Sequence, residues 1–343
     1  MSDNKYLKWL AENTQSVYWH DSAILSELED AMANGATGVT TNPFLVNGTL
    51  AARPQDWAEQ LAGVQKGLKG DEKVEALIGA VTKHIAEIVG KYHGQDFGEG
   101  YCCAQVNPNK PGDTQGMIDL AKRYSKIAEN IVIKLPATRA GMEAYEECAA
   151  LGMNVAATVS FTVPQTLATG AAFERGVKRA RENGIKPGLG IAVLMVGRLD
   201  DYLRDVEQDT HAKATEQDII QSGTAAIKRA YSIFNERNYD CVLMPAGCRG
   251  GYHITDLAGA RMIMSIAPKI AELLLNETGP FEERIDIPVD SATIDRLMSM
   301  PEFRKAYEPN GMGPDEFITY GSTNRTLTQF CIAGWDPLAA YNY

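Results

Sequence analysis

The sequence predicts an α/β fold, a (β/α)8 TIM barrel with a C-terminal helical extension. Three observations carry this. Short apolar runs rich in Val, Ile, Ala and Cys alternate with longer segments of helical period, and there are eight of them. No glycine-rich phosphate turn follows the first run, as an open doubly wound sheet would require. Beyond Leu275 the pattern changes to short Met- and Pro-containing helices. Strands alternating with helices pair in parallel through right-handed crossovers, and eight such units point to a closed barrel.

The first run, residues 17–21 (VYWHD), is aromatic and ends on Asp21. The second, 38–42 (GVTTN), is stopped by Pro43, after which 48–55 reads as a surface segment and helices continue to about Lys91. Residues 93–100 form a Gly-rich connection to the third run, 101–106 (YCCAQV). Residues 113–130 place Ile118, Leu120, Ala121 and Tyr124 on one side and lysines and arginines on the other, an amphipathic helix leading to the fourth run, 131–137 (IVIKLPA). The remaining runs are 154–161 (NVAATVSF), 188–195 (GLGIAVLM), 241–246 (CVLMPA) and 261–266 (RMIMSI). The barrel is thus assigned to residues 1–275 and the extension packed on it to 276–343, with short helices at 291–300 and 314–320.

At 343 residues and 45% hydrophobic content the chain can bury a large core, and a net charge of −11 argues against nucleic acid or an anionic membrane as partner. No stretch approaches about 18 consecutive apolar residues, and the start, Met1-Ser2-Asp3-Asn4-Lys5, lacks a signal-peptide core. A cytoplasmic protein is expected. The cysteines (Cys102, Cys103, Cys148, Cys241, Cys248 and Cys331) form no C-x-x-C pair and read as reduced, mostly buried thiols. H-E-x-x-H, G-x-S-x-G and Walker patterns are missing, and Gly188-Leu189-Gly190 is too short for a dinucleotide fingerprint.

In a barrel the reacting groups gather at the carboxyl ends of the strands. Asp21 ends the first run, Thr41-Asn42 the second and Gln105 the third, with Asn107 just beyond. Thr158 and Ser160 lie late in the fifth, and Arg198 and Arg249 follow the sixth and seventh. Lys134 joins them inside the fourth, between β-branched residues and a Leu-Pro stop, where a charged ammonium is expensive. An unprotonated amine there could attack a carbonyl; the alternative is a lysine pairing with a nearby carboxylate. Asp21 could equally cap a helix at Ser22, Thr41-Asn42-Pro43 could be a turn, and an arginine after a strand is usually solvated. Together these residue types suit a Schiff-base carbon–carbon lyase or transferase: an amine, an acid/base, amide donors for hydroxyls and arginines for a phosphate.

The chain resembles the transaldolases and their relatives, the fructose-6-phosphate aldolases. The resemblance rests on Gly38-Val39-Thr40-Thr41-Asn42-Pro43, on Val132-Ile133-Lys134-Leu135-Pro136-Ala137-Thr138 with Gly141, and on Thr158 to Phe161 followed by Gln165. Val196-Gly197-Arg198, Ala246-Gly247-Cys248-Arg249 and Leu257-Ala258-Gly259 complete it, over roughly residues 15 to 275. It implies a class I mechanism without metal or organic cofactor, acting on sugar phosphates or other anionic ketoses and aldehydes. Family members associate in different ways, so it also admits a homo-oligomer.

Carried over position by position, Lys134 resembles the Schiff-base lysine, Asp21 the acid/base, and Asn42, beside Thr41, the amide holding donor hydroxyls. Thr158 resembles the hydroxyl that orients the catalytic water, and Arg198 and Arg249 the phosphate clamp; Ser160 is placed with the substrate-binding residues. Gln105 stands where transaldolases have a glutamate and the aldolases a glutamine. Met195 replaces an aldolase tyrosine, Ala156 a transaldolase asparagine, and Val193 and Gly247 serines. The resemblance thus implies transfer of a dihydroxyacetone unit, with release of free dihydroxyacetone as the alternative and a non-catalytic sugar-phosphate-binding barrel as a third reading.

Overall fold

In the computed structural model, which describes residues 3–343, eight parallel strands run in the order β7-β6-β5-β4-β3-β2-β1-β8. They are β1 Val17–His20, β2 Gly38–Val39, β3 Cys102–Gln105, β4 Ile131–Pro136, β5 Asn154–Thr158, β6 Gly190–Leu194, β7 Val242–Pro245 and β8 Ile263–Ile266. Each falls within one of the eight apolar runs. β8 pairs with β1 over four residues, while β7 and β8 touch without a ladder between them, so the barrel is nearly closed with one seam. Helices follow the strands in the expected alternation, and helix Lys5–Asn13 precedes β1.

Polar residues immediately beyond the strands start several of these helices. Asn42, Thr138 and Thr162 each accept the backbone N–H three residues on, satisfying a donor that the first helical turn leaves unpaired. Two boundaries differ from the sequence reading. Helix Pro43–Ala52 begins directly at the Asn42 cap with Pro43 in its first turn, so most of the segment read as surface is helical. The helix expected over 113–130 is Thr114–Tyr124, capped by Asp113, and ends in turns that bring the chain to β4.

The barrel interior is packed. Trp19 is fully buried, and a Cβ at Gly38 on the adjacent strand would lie 2.5 Å from its Nε1, so only glycine fits beside that indole. Burying such a side chain contributes about 2–3 kcal/mol.

The segment after β8 is built of short helices that travel around and then over the barrel. Ser291–Leu297 docks on Glu216–Ile219, Gly321–Phe330 on Val196–Thr210, the π-helical turn Cys331–Trp335 on Pro43–Ala52, and Asp336–Ala340 on Gly70–Val89. Gln329 bonds Arg198 beyond β6, and five residues later Gly334 packs on Pro43 and Phe44 beyond β2. The chain therefore crosses the carboxyl-end mouth of the barrel. Among the described residues no helix is long and apolar enough to cross a membrane.

The docking of Ser291–Leu297 rests on an ion pair in which Arg296 Nε and Nη2 donate to Asp218 at 2.9 and 2.6 Å. Arg296, then Thr215 and Thr293, hold the Asp218 carboxyl well below the usual carboxylate range despite burial. Because the folded-state value is depressed, the stabilisation is complete above the unfolded value of about 4 and is lost as pH falls through the folded one. Arg296→Ala is expected to destabilise the fold at neutral pH, because it leaves the Asp218 carboxylate without its ion-pair partner, and the gap to the wild type narrows below about pH 4. Urea unfolding across pH measures this, and a pH-independent gap would refute the assignment.

Candidate active site

Strand register places Lys134 beside Gln105 of β3 and Ala156 of β5, so the three side chains share one face. Lys134 is 6% exposed, within a strand that is buried throughout. Thr158 lies two residues beyond Ala156 on that face, one step closer to the mouth, and is also buried. Gln105 Oε1 is buried without a hydrogen-bond partner, an acceptor available to a ligand or water.

Asp21 follows β1 and accepts a hydrogen bond from Thr40 Oγ1 at 2.7 Å; Thr40 also meets Ser265 Oγ at 2.8 Å, tying together the ends of β8, β1 and β2. Lys134 and Asp21 act on the same buried thiol. Burial pushes Cys103 up to about 11, with Lys134 pulling it down and Asp21 pushing it up. The lysine and the carboxylate therefore both lie near Cys103, while Cys103 and Cys248, the latter pushed to about 12 by burial, stay protonated and unreactive.

The other candidates divide. The Asn42 carbonyl is used in its helix cap, leaving its amide hydrogens for other partners. Thr41 Oγ1 donates to Cys103 O at 2.6 Å and Ser160 Oγ donates to Val193 O, so both hydroxyl hydrogens are committed to the barrel wall. Each oxygen keeps its acceptor capacity, while Thr40, passed over in the sequence, touches Asp21. Asn107 holds its own turn by accepting from Asn109 N. Val159, between Thr158 and Ser160, has φ of 55°, a strained conformation for a β-branched residue. Gln165 Oε1 accepts from Phe161 N and Thr162 Oγ1, and its Nε2 donates to Ala137 O, fixing that turn to the end of β4.

Arg198 and Arg249 come together beyond β6 and β7. A Cβ at Gly197 would lie 2.5 Å from Gly247 O and 2.6 Å from Arg249 Cγ, and Gly247 has φ of 60°, so glycine at both positions lets the two turns meet. Burial, then Arg249, lowers the Arg198 pKa to about 10, which leaves it charged at neutral pH. Arg249 Nε donates to Asp201 Oδ2 at 2.7 Å, and its backbone N–H donates to His253 Nδ1 at 3.2 Å. That bond assigns the ring hydrogen to Nε2, which lies 2.9 Å from Asp200 Oδ2 in a fully buried pair. Asp200 Oδ1 in turn accepts from Ser222 Oγ and Gly223 N. Neither carboxylate was legible as a partner in the sequence, because the pairs lie dozens of residues apart.

Eight parallel strands around an interior lysine on β4, with a carboxylate beyond β1 and an arginine beyond each of β6 and β7, define a class of (β/α)8 barrels. The chain matches the family model described as Transaldolase/Fructose-6-phosphate aldolase over residues 18–312, and it belongs to that family. The match runs past the motifs into the C-terminal segment. Among similar relatives, Transaldolase 2 of Nostoc punctiforme is 30% identical over 62% of this chain and 57% of its own length. The transaldolase of Thiobacillus denitrificans is 27% identical over 66% and 64%, and Transaldolase 1 of Streptomyces coelicolor 28% identical over 74% and 67%. The chain thus spans less than two thirds of the length of the first two relatives.

Proposed function

We propose that the chain is a class I transaldolase-type enzyme transferring a dihydroxyacetone unit from a ketose phosphate to an aldehyde acceptor. The observation that carries this reading is Lys134, buried on the interior face between Gln105 and Ala156, with Asp21 near the same thiol, Cys103. The amine adds to the ketone and water leaves, giving an iminium. Asp21 takes the proton of the hydroxyl beside the scissile bond; that carbon–carbon bond breaks, an aldehyde departs, and its electron pair forms an enamine on Lys134. The enamine carbon then attacks the acceptor carbonyl, Asp21 returns the proton to the new alkoxide, and water hydrolyses the iminium. Thr158 and Gln105 position that water, the Asn42 amide donates to the donor hydroxyls, and Arg198 receives the phosphate. Six free cysteines and the lack of a membrane-crossing helix among the described residues support a cytoplasmic site of action.

Borohydride reduction in the presence of fructose 6-phosphate, followed by peptide mass spectrometry, is expected to mark Lys134; an unlabelled Lys134 in the folded protein sinks the proposal. Incubation without acceptor separates transfer from lysis, since rapid release of free dihydroxyacetone would mark a lyase. Gln105 can place water but cannot accept its proton. Gln105→Glu is therefore expected to raise acceptor-dependent transfer by about tenfold relative to dihydroxyacetone release. An unchanged product ratio would show that this position does not set the balance.

A further inference from the structure

The two arginines at the mouth are not equivalent. Arg249 meets the carboxylate of Asp201 with Nε and Nη2, both at 2.7 Å, and Asp201 also takes Arg204 Nη1 at 3.1 Å. The charge of Arg249 is therefore matched within the protein. Arg198 has no carboxylate within ion-pair distance among the described residues. Its Nη1 instead donates to a neutral acceptor, Gln329 Oε1, at 2.6 Å, and its guanidinium carbon lies 5.7 Å from the Phe330 ring centre. One uncompensated, partly buried guanidinium thus sits between the end of β6 and the segment that crosses the barrel mouth.

Gln329 is anchored as well as placed. Arg325, one helical turn earlier on the same helix face, pairs with Asp205 on Val196–Thr210, the helix that carries Arg198. With Oε1 turned to Arg198, the Gln329 amide presents two N–H donors beside the guanidinium, and no acceptor among the described residues takes them. A planar guanidinium next to an amide donor suits the oxygens of a phosphate monoester.

We propose that Gln329, from the C-terminal segment, is a specificity-determining residue of the anion subsite, which reads a phosphate monoester with Arg198 and the Gln329 amide while Arg249 stays paired to Asp201. This rests on the transaldolase-type reading for the identity of the phosphate ester. The subsite itself rests on the contacts of Arg198, Arg249 and Gln329.

Gln329→Glu tests it, because a carboxylate in the place of Oε1 would compensate Arg198 and remove the donors. Two readouts are needed in the full chain: the dissociation constant of inorganic phosphate by calorimetry, and kcat/KM for glyceraldehyde 3-phosphate against glyceraldehyde as acceptors. The substitution is expected to weaken phosphate binding, and to lower the preference for the phosphorylated acceptor, by about tenfold or more. Gln329→Ala, which removes the amide but leaves Arg198 uncompensated, is expected to give a smaller loss of about threefold. Phosphate binding and acceptor preference that stay within about twofold in Gln329→Glu would overturn the inference. So would an equal loss with both acceptors accompanied by a lower Tm, which would make Gln329 a structural tether. Calorimetry reads the subsite without turnover, so failure to trap Lys134 would refute the enzymatic reading and leave this inference to be decided by phosphate.

Discussion

Lys134→Ala is expected to lower turnover by about 10⁴-fold or more while the barrel stays folded, because no other group can supply the covalent route. Cys103 and Cys248, the buried thiols acted on by Asp21, are held protonated by burial. The fold should survive because the lost side chain belongs to a polar layer: Lys134 stands between Gln105 and Ala156, with Thr158 one step above. Removing it relieves the burial of a polar amine and leaves a void, two effects of opposite sign, each about 1–3 kcal/mol. Circular dichroism melting and a coupled assay separate the outcomes. Loss of folding would return Lys134 to the role of a structural cation, and retained turnover would exclude it as nucleophile.

Asp21→Asn is expected to reduce kcat by about 10²–10⁴-fold with a smaller change in KM. Asparagine keeps an oxygen for the 2.7 Å bond from Thr40, so the tie between the ends of β8, β1 and β2 persists. What the proposed mechanism loses is the group that takes a proton from the donor hydroxyl and returns it to the acceptor. Borohydride trapping should still mark Lys134 in this variant, because iminium formation precedes bond cleavage. A variant that neither turns over nor traps would place Asp21 in imine formation instead.

The strands are legible in the sequence because each is buried in a parallel barrel and reads as one apolar run bounded by turn residues. The contents of the mouth are less legible. A strand-end rule selects residues by position along the chain, but the face each occupies follows a period of two and the hydrogen bonds it makes. Thr40 and Thr41 are adjacent and chemically equal in the sequence; the fold gives Thr40 to Asp21 and Thr41 to the Cys103 carbonyl. Helix Pro43–Ala52 was hidden because Asn47, Gly48 and Thr49 look like loop residues until its Asn42 cap is seen. The partners of the arginines come from distant segments: Gln329 lies 131 residues beyond Arg198 and Asp201 lies 48 before Arg249. No local pattern encodes such separations.

The seam between β7 and β8 has a further consequence. Strands on either side of a missing ladder retain their hydrogen bonds on one side only, β7 to β6 and β8 to β1. Amide hydrogens along this line should therefore exchange with deuterium through openings smaller than global unfolding, ahead of those in β4, which is laddered on both sides. Arg198 follows β6, the strand laddered to β7, whereas Asp21 follows β1, the strand laddered to β8. The line expected to open first thus runs between the arginine proposed to meet the anion and the carboxylate proposed to move the proton, and the spacing between them is expected to be the least rigid dimension of the site.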